Sequence, residues 1–190
     1  MDTPFIAGGL VLEHPIMNGA GLCKDMHHAE PFIRPSNAAL VFGSITVLAQ
    51  PGNEGDVYFS APKPYPENLL GLLKRAEKLY FPAPKPYSLN SLGIPNRGAE
   101  FYLTALVEIV ALAHSQGKKV ILSVAGTTPQ QFAQLCTLAR ICKVDAIELN
   151  IACPNRWDGA TQERIICFDP NLVNDIMMHV ATSVGDLLPV

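Results

Sequence analysis

Hydrophobic and polar positions along this chain switch repeatedly between a strand-like and a helix-like period. Phe5-Ile6-Ala7 and Leu10-Val11-Leu12 flank Gly8-Gly9, the spacing of a two-residue hairpin. Short apolar runs at Pro15 to Asn18, Ala39 to Ser44, Val120 to Val124 and Ala146 to Asn150 predict four buried strands. Between them apolar residues recur at helical spacing. Asp25 to about Ile33 predicts a short helix ended by Pro35, and Ala99 to Gln116 a longer one that stops at Gly117. Thr128-Pro129 and Asp169-Pro170 each place a capping oxygen before a proline, predicting helices that run to about Cys142 and Thr182. Leu187 to Val190 reads as the approach to a fifth strand.

Strand, helix, strand in succession is a parallel unit. Four such units after an N-terminal hairpin, with a fifth only begun, predict the amino-terminal half of a (β/α)₈ TIM barrel, a fold that takes about 250 residues when complete. A doubly wound sheet would show a GxGxxG fingerprint after its first strand, and Gly19-Ala20-Gly21 is not one. The expected organisation is one partial barrel domain over 1–190, with a long loop insertion at 47–89. That insertion is rich in Pro, Gly and Tyr, has one helix-like interruption at Leu69 to Leu79, and repeats APKPY at Ala61 to Tyr65 and Ala83 to Tyr87. Two short copies do not make a solenoid, whereas excursions of this length in compact domains are usually lids or binding loops.

Composition narrows the function. A chain with 48% hydrophobic and 16% charged residues is globular, and a net charge of −3 without a Lys/Arg cluster gives no footprint for nucleic acid. The expected partner is a small molecule. Leu103 to Ala113, the best apolar run, is too short to span a bilayer and carries Glu108, and the acid at Asp2 does not suit a signal peptide; a soluble cytoplasmic protein is expected. Five cysteines without paired CxxC spacing argue against a disulfide framework or a structural zinc site. Cys23 with His27 or His28 is a weak metal-ligand spacing, and no metal is assigned.

The candidate chemistry centres on Ile147 to Asn155, IELNIACPN. Ligands of parallel sheets and barrels bind at the carboxyl ends of the strands, so Asn150, Cys153 and Asn155 are expected at one site. Gly19, Ala20 and Gly21 after the first predicted strand let the backbone come close to a flat ligand. The amide-rich segment Ser88 to Asn96 is either a plain turn or a source of successive N–H donors.

Four motifs in order, MNGAG at Met17 to Gly21, GSIT with PGNEG downstream, NSLGIPN at Asn90 to Asn96 and LNIACPN at Leu149 to Asn155, resemble the amino-terminal part of class 1 dihydroorotate dehydrogenases. The resemblance covers nearly all of the chain. It implies an FMN-dependent barrel of pyrimidine biosynthesis that oxidises dihydroorotate to orotate, is cytoplasmic and is a homodimer in its full-length form. It implies Cys153 as the base, Asn90, Leu92, Gly93, Ile94, Asn150 and Asn155 as substrate contacts, and Ala20, Gly21, Ser44 and Asn150 along the flavin ring. Two positions depart from the pattern: Gly43 stands where the family has a lysine, and Ala152 where it has a serine. RIICFDP at Arg164 to Pro170 is similar to pyrimidine-reducing relatives, so a dihydropyrimidine dehydrogenase-like activity is one alternative and a non-catalytic fragment another.

Overall fold

The computed structural model of the chain describes residues 5–33, 36–61, 87–155, 157–158 and 161–185. The predicted helix at Leu69 to Leu79, most of the APKPY repeats and the predicted fifth strand lie outside the described residues. The described chain divides into two compact units, 1–52 with 93–190 and, separately, 53–92.

In the larger unit, β1 (Phe5–Ala7) and β2 (Leu10–Leu12) form the expected antiparallel hairpin. Gly8 and Gly9 both take positive φ, +55° and +82°, the conformation that a tight two-residue turn demands. The central sheet is parallel and contains β3 (Ala39–Ile45), β6 (Lys119–Val124) and β7 (Ala146–Leu149), in the spatial order β3-β6-β7. Each new strand adds in parallel beside its predecessor.

The helices follow their caps. In α1 (Met26–Ala29) Asp25 Oδ1 accepts from His28 N at 2.8 Å, and a short 3₁₀ turn then runs over Glu30–Phe32. α2 (Ala99–Ser115) ends before Gly117 at φ +70°. α3 (Pro129–Ile141) is capped by Thr128, and α4 (Pro170–Val184) by Asp169, whose Oδ1 accepts from Asn171 N and Leu172 N at 3.2 Å.

Alternation along the strands divides the sheet into two faces. Leu40, Phe42, Val120, Leu122 and Val124 pack with Tyr102, Leu106 and Ile109 of α2, with Phe132 and Leu135 of α3 and with Ile176 and Val180 of α4. Phe42 meets Tyr102 edge to face at 5.5 Å. On the other face, Leu10 and Leu12 of the hairpin pack against Ala38, Ala39 and Ala146 at the amino ends of the strands. The hairpin therefore packs over that end and leaves the carboxyl ends for a site.

The first predicted strand is a correction. Pro15 to Asn18 lies along β3 but forms no ladder. Ala38 N donates to Ile16 O at 2.9 Å, and the Asn18 side chain then takes over, donating to Val41 O at 2.7 Å and accepting from Val41 N at 3.0 Å. A buried strand must have its N–H and C=O groups paired, and a side-chain amide offers both partners at one residue, so the backbone ladder is replaced. Asn37 Nδ2 donates to the same Asn18 Oδ1 at 3.1 Å.

Within the 47–89 stretch the described residues at either end take part in a sheet. In the smaller unit β4 (Tyr58–Ala61) pairs antiparallel with β5 (Tyr87–Asn90), so that Ala61 and Tyr87, from the two APKPY copies, stand opposite each other. Asn53 N donates to Leu92 O and Ser91 N to Val57 O, closing this unit at its base. A short hairpin of β8 (Trp157–Asp158) and β9 (Thr161–Gln162) follows Asn155.

At the amino ends of the strands, Asp145 Oδ2 accepts from Val120 N at 2.9 Å and meets His114 Nε2 at 2.7 Å, while its Oδ1 accepts from Lys119 Nζ at 2.8 Å. Burial raises the Asp145 carboxyl, but the hydrogen bonds from Lys119, His114 and Val120 outweigh it and hold the group below its ordinary value. Asp145 thus ties the end of α2 to the start of β6.

Two outcomes are expected. Asn18→Ala leaves both Val41 groups without their buried partner and should lower stability in urea by about 2–4 kcal/mol, against near zero for the exposed Gln130→Ala. A native-like urea midpoint in Asn18→Ala would show that water or backbone replaces the amide. Asp145→Asn should cost about 1–2 kcal/mol at pH 7. Because the folded carboxyl titrates below the unfolded one, this contribution is complete above the unfolded value of about 3.9 and fades as the pH falls through the folded value. Urea melts of both proteins at pH 7 and pH 3 should therefore diverge at the former and approach each other at the latter.

Candidate functional site

The carboxyl ends of the three parallel strands carry a row of polar side chains. Ser44 Oγ lies 2.7 Å from Ser123 Oγ, and Asn150 Nδ2 donates to Ser44 Oγ at 2.9 Å. Both serines are buried and Asn150 is half-buried. The local backbone explains why Asn150 turns inward: its own N–H still donates to Val124 O at 2.8 Å, extending the β6–β7 ladder by one residue before the chain departs. Ile151 O then accepts from Cys167 N at 3.0 Å, anchoring the start of the loop to the RIICFDP segment.

Cys153 stands three residues beyond Asn150, half-buried, with Asn155 half-buried after it. The five thiols separate by environment. Burial, with the Asp25 charge added, pushes Cys23 up to about 12, and burial alone does the same for Cys136 and raises Cys142. These three are inert core thiols. Cys23 points its sulfur to Asp25 O at 3.8 Å while His27 and His28 are exposed, so the weak metal spacing is not assembled on one face.

The second wall is the stretch after Asn18. An added Cβ at Gly19 or Gly21 would meet no atom within 4 Å, so bare backbone faces open space there, with Ala20 half-buried between them. Gly21 N donates to Gly43 O at 2.5 Å and Gly43 N donates to Cys23 O at 2.9 Å, which lays this stretch along the end of β3. Gly43 has φ +113°, and a Cβ there would lie 2.3 Å from Ser123 O. The glycine is required by both its conformation and the strand beside it, and a lysine has no room at that position.

The third wall comes from the end of NSLGIPN. Asn96 is buried, accepting at Oδ1 from Thr46 N at 3.2 Å and Gly98 N at 2.9 Å, and donating from Nδ2 to Ile94 O at 2.9 Å. This one amide binds the segment to GSIT and shapes Gly93 and Ile94, both at positive φ, +75° and +58°. Lys24 Nζ donates to Pro95 O at 2.5 Å from the opposite side.

The larger unit therefore brings together Ala20, Gly21, Ser44, Asn150 and the Cys153 loop, with Gly93 and Ile94 held to the end of β3. Asn90 and Leu92 belong to the smaller unit, where both are exposed. Sequence reasoning did not single out Ser123, Lys24 or the anchoring role of Asn96. Ser123 had a signal, as the one polar residue in the apolar run VILSV, whereas nothing in spacing or composition marks Lys24.

A family model described as dihydroorotate dehydrogenase matches residues 77–184, more than half of the 190-residue chain. The chain belongs to the dihydroorotate dehydrogenase family. Among solved structures it is similar to a DHODH from Eimeria tenella, crystallised in complex with ferulenol, with a TM-score of 0.64 and 15% sequence identity. That alignment covers 94% of this chain and 43% of the other, so the chain spans less than half the length of that structure. No curated protein matches it. Membership of the dihydroorotate dehydrogenase family agrees with the mixed α/β fold and its parallel sheet, as the motifs implied. Among the described residues no helix is long and apolar enough to cross a membrane.

Gly43→Ala should lower stability by about 2 kcal/mol or more, since it combines a positive φ with a clash against backbone that cannot swing aside. Differential scanning calorimetry of the two proteins checks this. An equal or higher melting temperature in the variant would mean that β3 and β6 separate easily at their carboxyl ends.

Proposed function

We propose that this chain carries the substrate and flavin-ring side of a class 1 dihydroorotate dehydrogenase site, within the amino-terminal half of a (β/α)₈ barrel. The observation that carries the reading is the row Ser44, Ser123 and Asn150 across three consecutive strand ends, three residues before a half-buried cysteine. Four polar or reactive groups at the ligand end of a parallel sheet, in a chain of this family, form a site rather than a core defect.

The residues present suit the ring of FMN. Bare backbone at Gly19 to Gly21 leaves a flat surface open, and Ser44 and Asn150 offer hydroxyl and amide groups beside it. FMN, when bound, would supply the acceptor for the hydride that leaves C6 of dihydroorotate. Cys153, as thiolate, takes the proton from C5. Asn150 and Asn155 donate to the carbonyl and carboxylate oxygens of the pyrimidine, and the backbone of Gly93 and Ile94 adds N–H donors. Each such bond fixes the orientation of the C5–H toward the sulfur, which is where proton transfer gains its rate. The biological setting on this reading is UMP synthesis in the cytoplasm, by a homodimer in the full-length form.

The neutral-pyrimidine alternative rests on the RIICFDP motif and on the exclusion of a lysine from position 43. A site without that cation has less to offer a carboxylate.

The test is turnover with dihydroorotate in the FMN-supplemented protein. Cys153→Ser should lower kcat by about a hundredfold to ten-thousandfold, since a hydroxyl is a far weaker base near neutrality, and Cys142→Ala should spare it. An unchanged rate in Cys153→Ala would remove the cysteine from the mechanism, and turnover of dihydrouracil in preference to dihydroorotate would favour the alternative.

A further inference from the structure

Lys24 is, among the described residues, a half-buried cation without a carboxylate partner. Among the described residues its recorded hydrogen bond goes to Pro95 O at 2.5 Å, and the adjacent acid Asp25 is turned away, with its Oδ2 3.2 Å from His28 Nδ1. Taking an ammonium out of water without a counter-ion is costly, and one carbonyl does not compensate for it. Burial accordingly lowers the ordinary value of its ammonium, and the electrostatic interaction that acts against this is with Cys153. The ammonium and the sulfur thus share one electrostatic environment.

Its backbone explains the placement. Gly43 is hydrogen-bonded on one side to Gly21 N and on the other to Cys23 O, so the residue after Cys23 leaves from directly beside Gly43. Gly43 cannot carry a side chain, since a Cβ would lie 2.3 Å from Ser123 O. The next residue, Ser44, holds Asn150 at 2.9 Å. A cation that β3 has no room to present is thereby presented by the stretch hydrogen-bonded to Gly43, and is anchored across to the loop of Gly93 to Asn96.

The geometry points to Lys24 as the specificity-determining cation of the site, receiving the carboxylate of an anionic pyrimidine beside Cys153. This rests on the function proposed above for its choice of ligand, but not for the position of the charge. An ammonium is a compact point charge whose hydrogen-bonding capacity a single carbonyl does not exhaust, so Lys24 keeps donors for a carboxylate while bound to Pro95. The site accordingly selects orotate-like acids over neutral pyrimidines such as uracil, in spite of Gly43.

The charge is read by alkylation of Cys153 with anionic iodoacetate and neutral iodoacetamide, quantified by peptide mass spectrometry. Both reagents attack through the same thiolate, so the ratio of their rates reports the potential at the sulfur and not the thiolate fraction. Lys24→Met should lower that ratio at Cys153 by about threefold or more and leave it unchanged at the exposed Cys167, while Lys24→Arg should retain it. An equal ratio at Cys153 in parent and Lys24→Met would overturn the proposal. Continued protection of the buried Cys23, Cys136 and Cys142 shows that each variant is folded, and if Lys24→Met exposes them, the milder Lys24→Gln replaces it.

The ligand is read by protection of Cys153 from iodoacetamide with FMN present. Orotate should protect the parent at concentrations roughly tenfold lower than in Lys24→Met. Equal protection by uracil and orotate in the parent would overturn the selectivity. If neither pyrimidine protects while the reagent ratio still depends on Lys24, the proposed function fails and the placement of the cation beside Cys153 stands.

Discussion

The outer edge of β3 has to be satisfied without a neighbouring strand ladder, and the Asn18 amide does this by pairing with both the N–H and the C=O of Val41. All seven residues of β3 are buried, so unpaired groups there would cost about 1–3 kcal/mol each. Once a side chain rather than a backbone takes those bonds, the following residues are released from strand geometry. Gly19 to Gly21 can then cross the end of β3 as bare backbone, and Cys23 can close onto Gly43. The flat wall of the candidate site is a consequence of how one strand edge is closed.

The two ends of the sheet divide the labour. At the amino ends, charge is spent on holding elements together: Asp145 with His114, Lys119 and Val120, and Lys118 with Glu13 at 2.9 Å, whose hydrogen bond keeps the Glu13 carboxyl below its ordinary value. At the carboxyl ends the strands themselves carry amide and hydroxyl contacts, Ser44 with Ser123 and Asn150, and Thr46 with Asn96, and Lys24 bonds to Pro95 O nearby in the chain's loops. Neutral groups can exchange partners for a ligand at little cost, whereas a paired buried charge cannot. Parallel (β/α) folds place ligands at the carboxyl ends for the related reason that the loops there are free to vary.

Gly43 shows how a local constraint moves chemistry from one element to another. Close approach of β3 and β6 at this point leaves no volume for a side chain, so the strand contributes backbone only. A cation is carried instead by Lys24, on the stretch hydrogen-bonded to that same glycine. Functional groups in such a site are tied to a position in space more firmly than to a position in the chain.

Much of this was legible in the sequence. The hairpin, three parallel strands and the caps at Asp25, Thr128 and Asp169 follow from local rules, since period, cap chemistry and proline position act within a few residues. The placing of Asn150 at a strand end was legible too, because strand ends in an alternating αβ chain share one side, whereas Ser44, which it meets at 2.9 Å, was marked only by its motif. What only the tertiary structure decided involves partners distant in sequence. Asn18 serves as a strand partner because β3, more than twenty residues on, presents an unpaired edge. The 47–89 insertion contains a sheet because its two ends, separated by the intervening Pro-rich chain, meet in register. Lys24 acquires meaning only where it meets Pro95, a contact that no periodicity encodes. Hydrogen bonds and charges act over a few ångströms whatever the separation along the chain, so their partners are set by the fold and not by spacing.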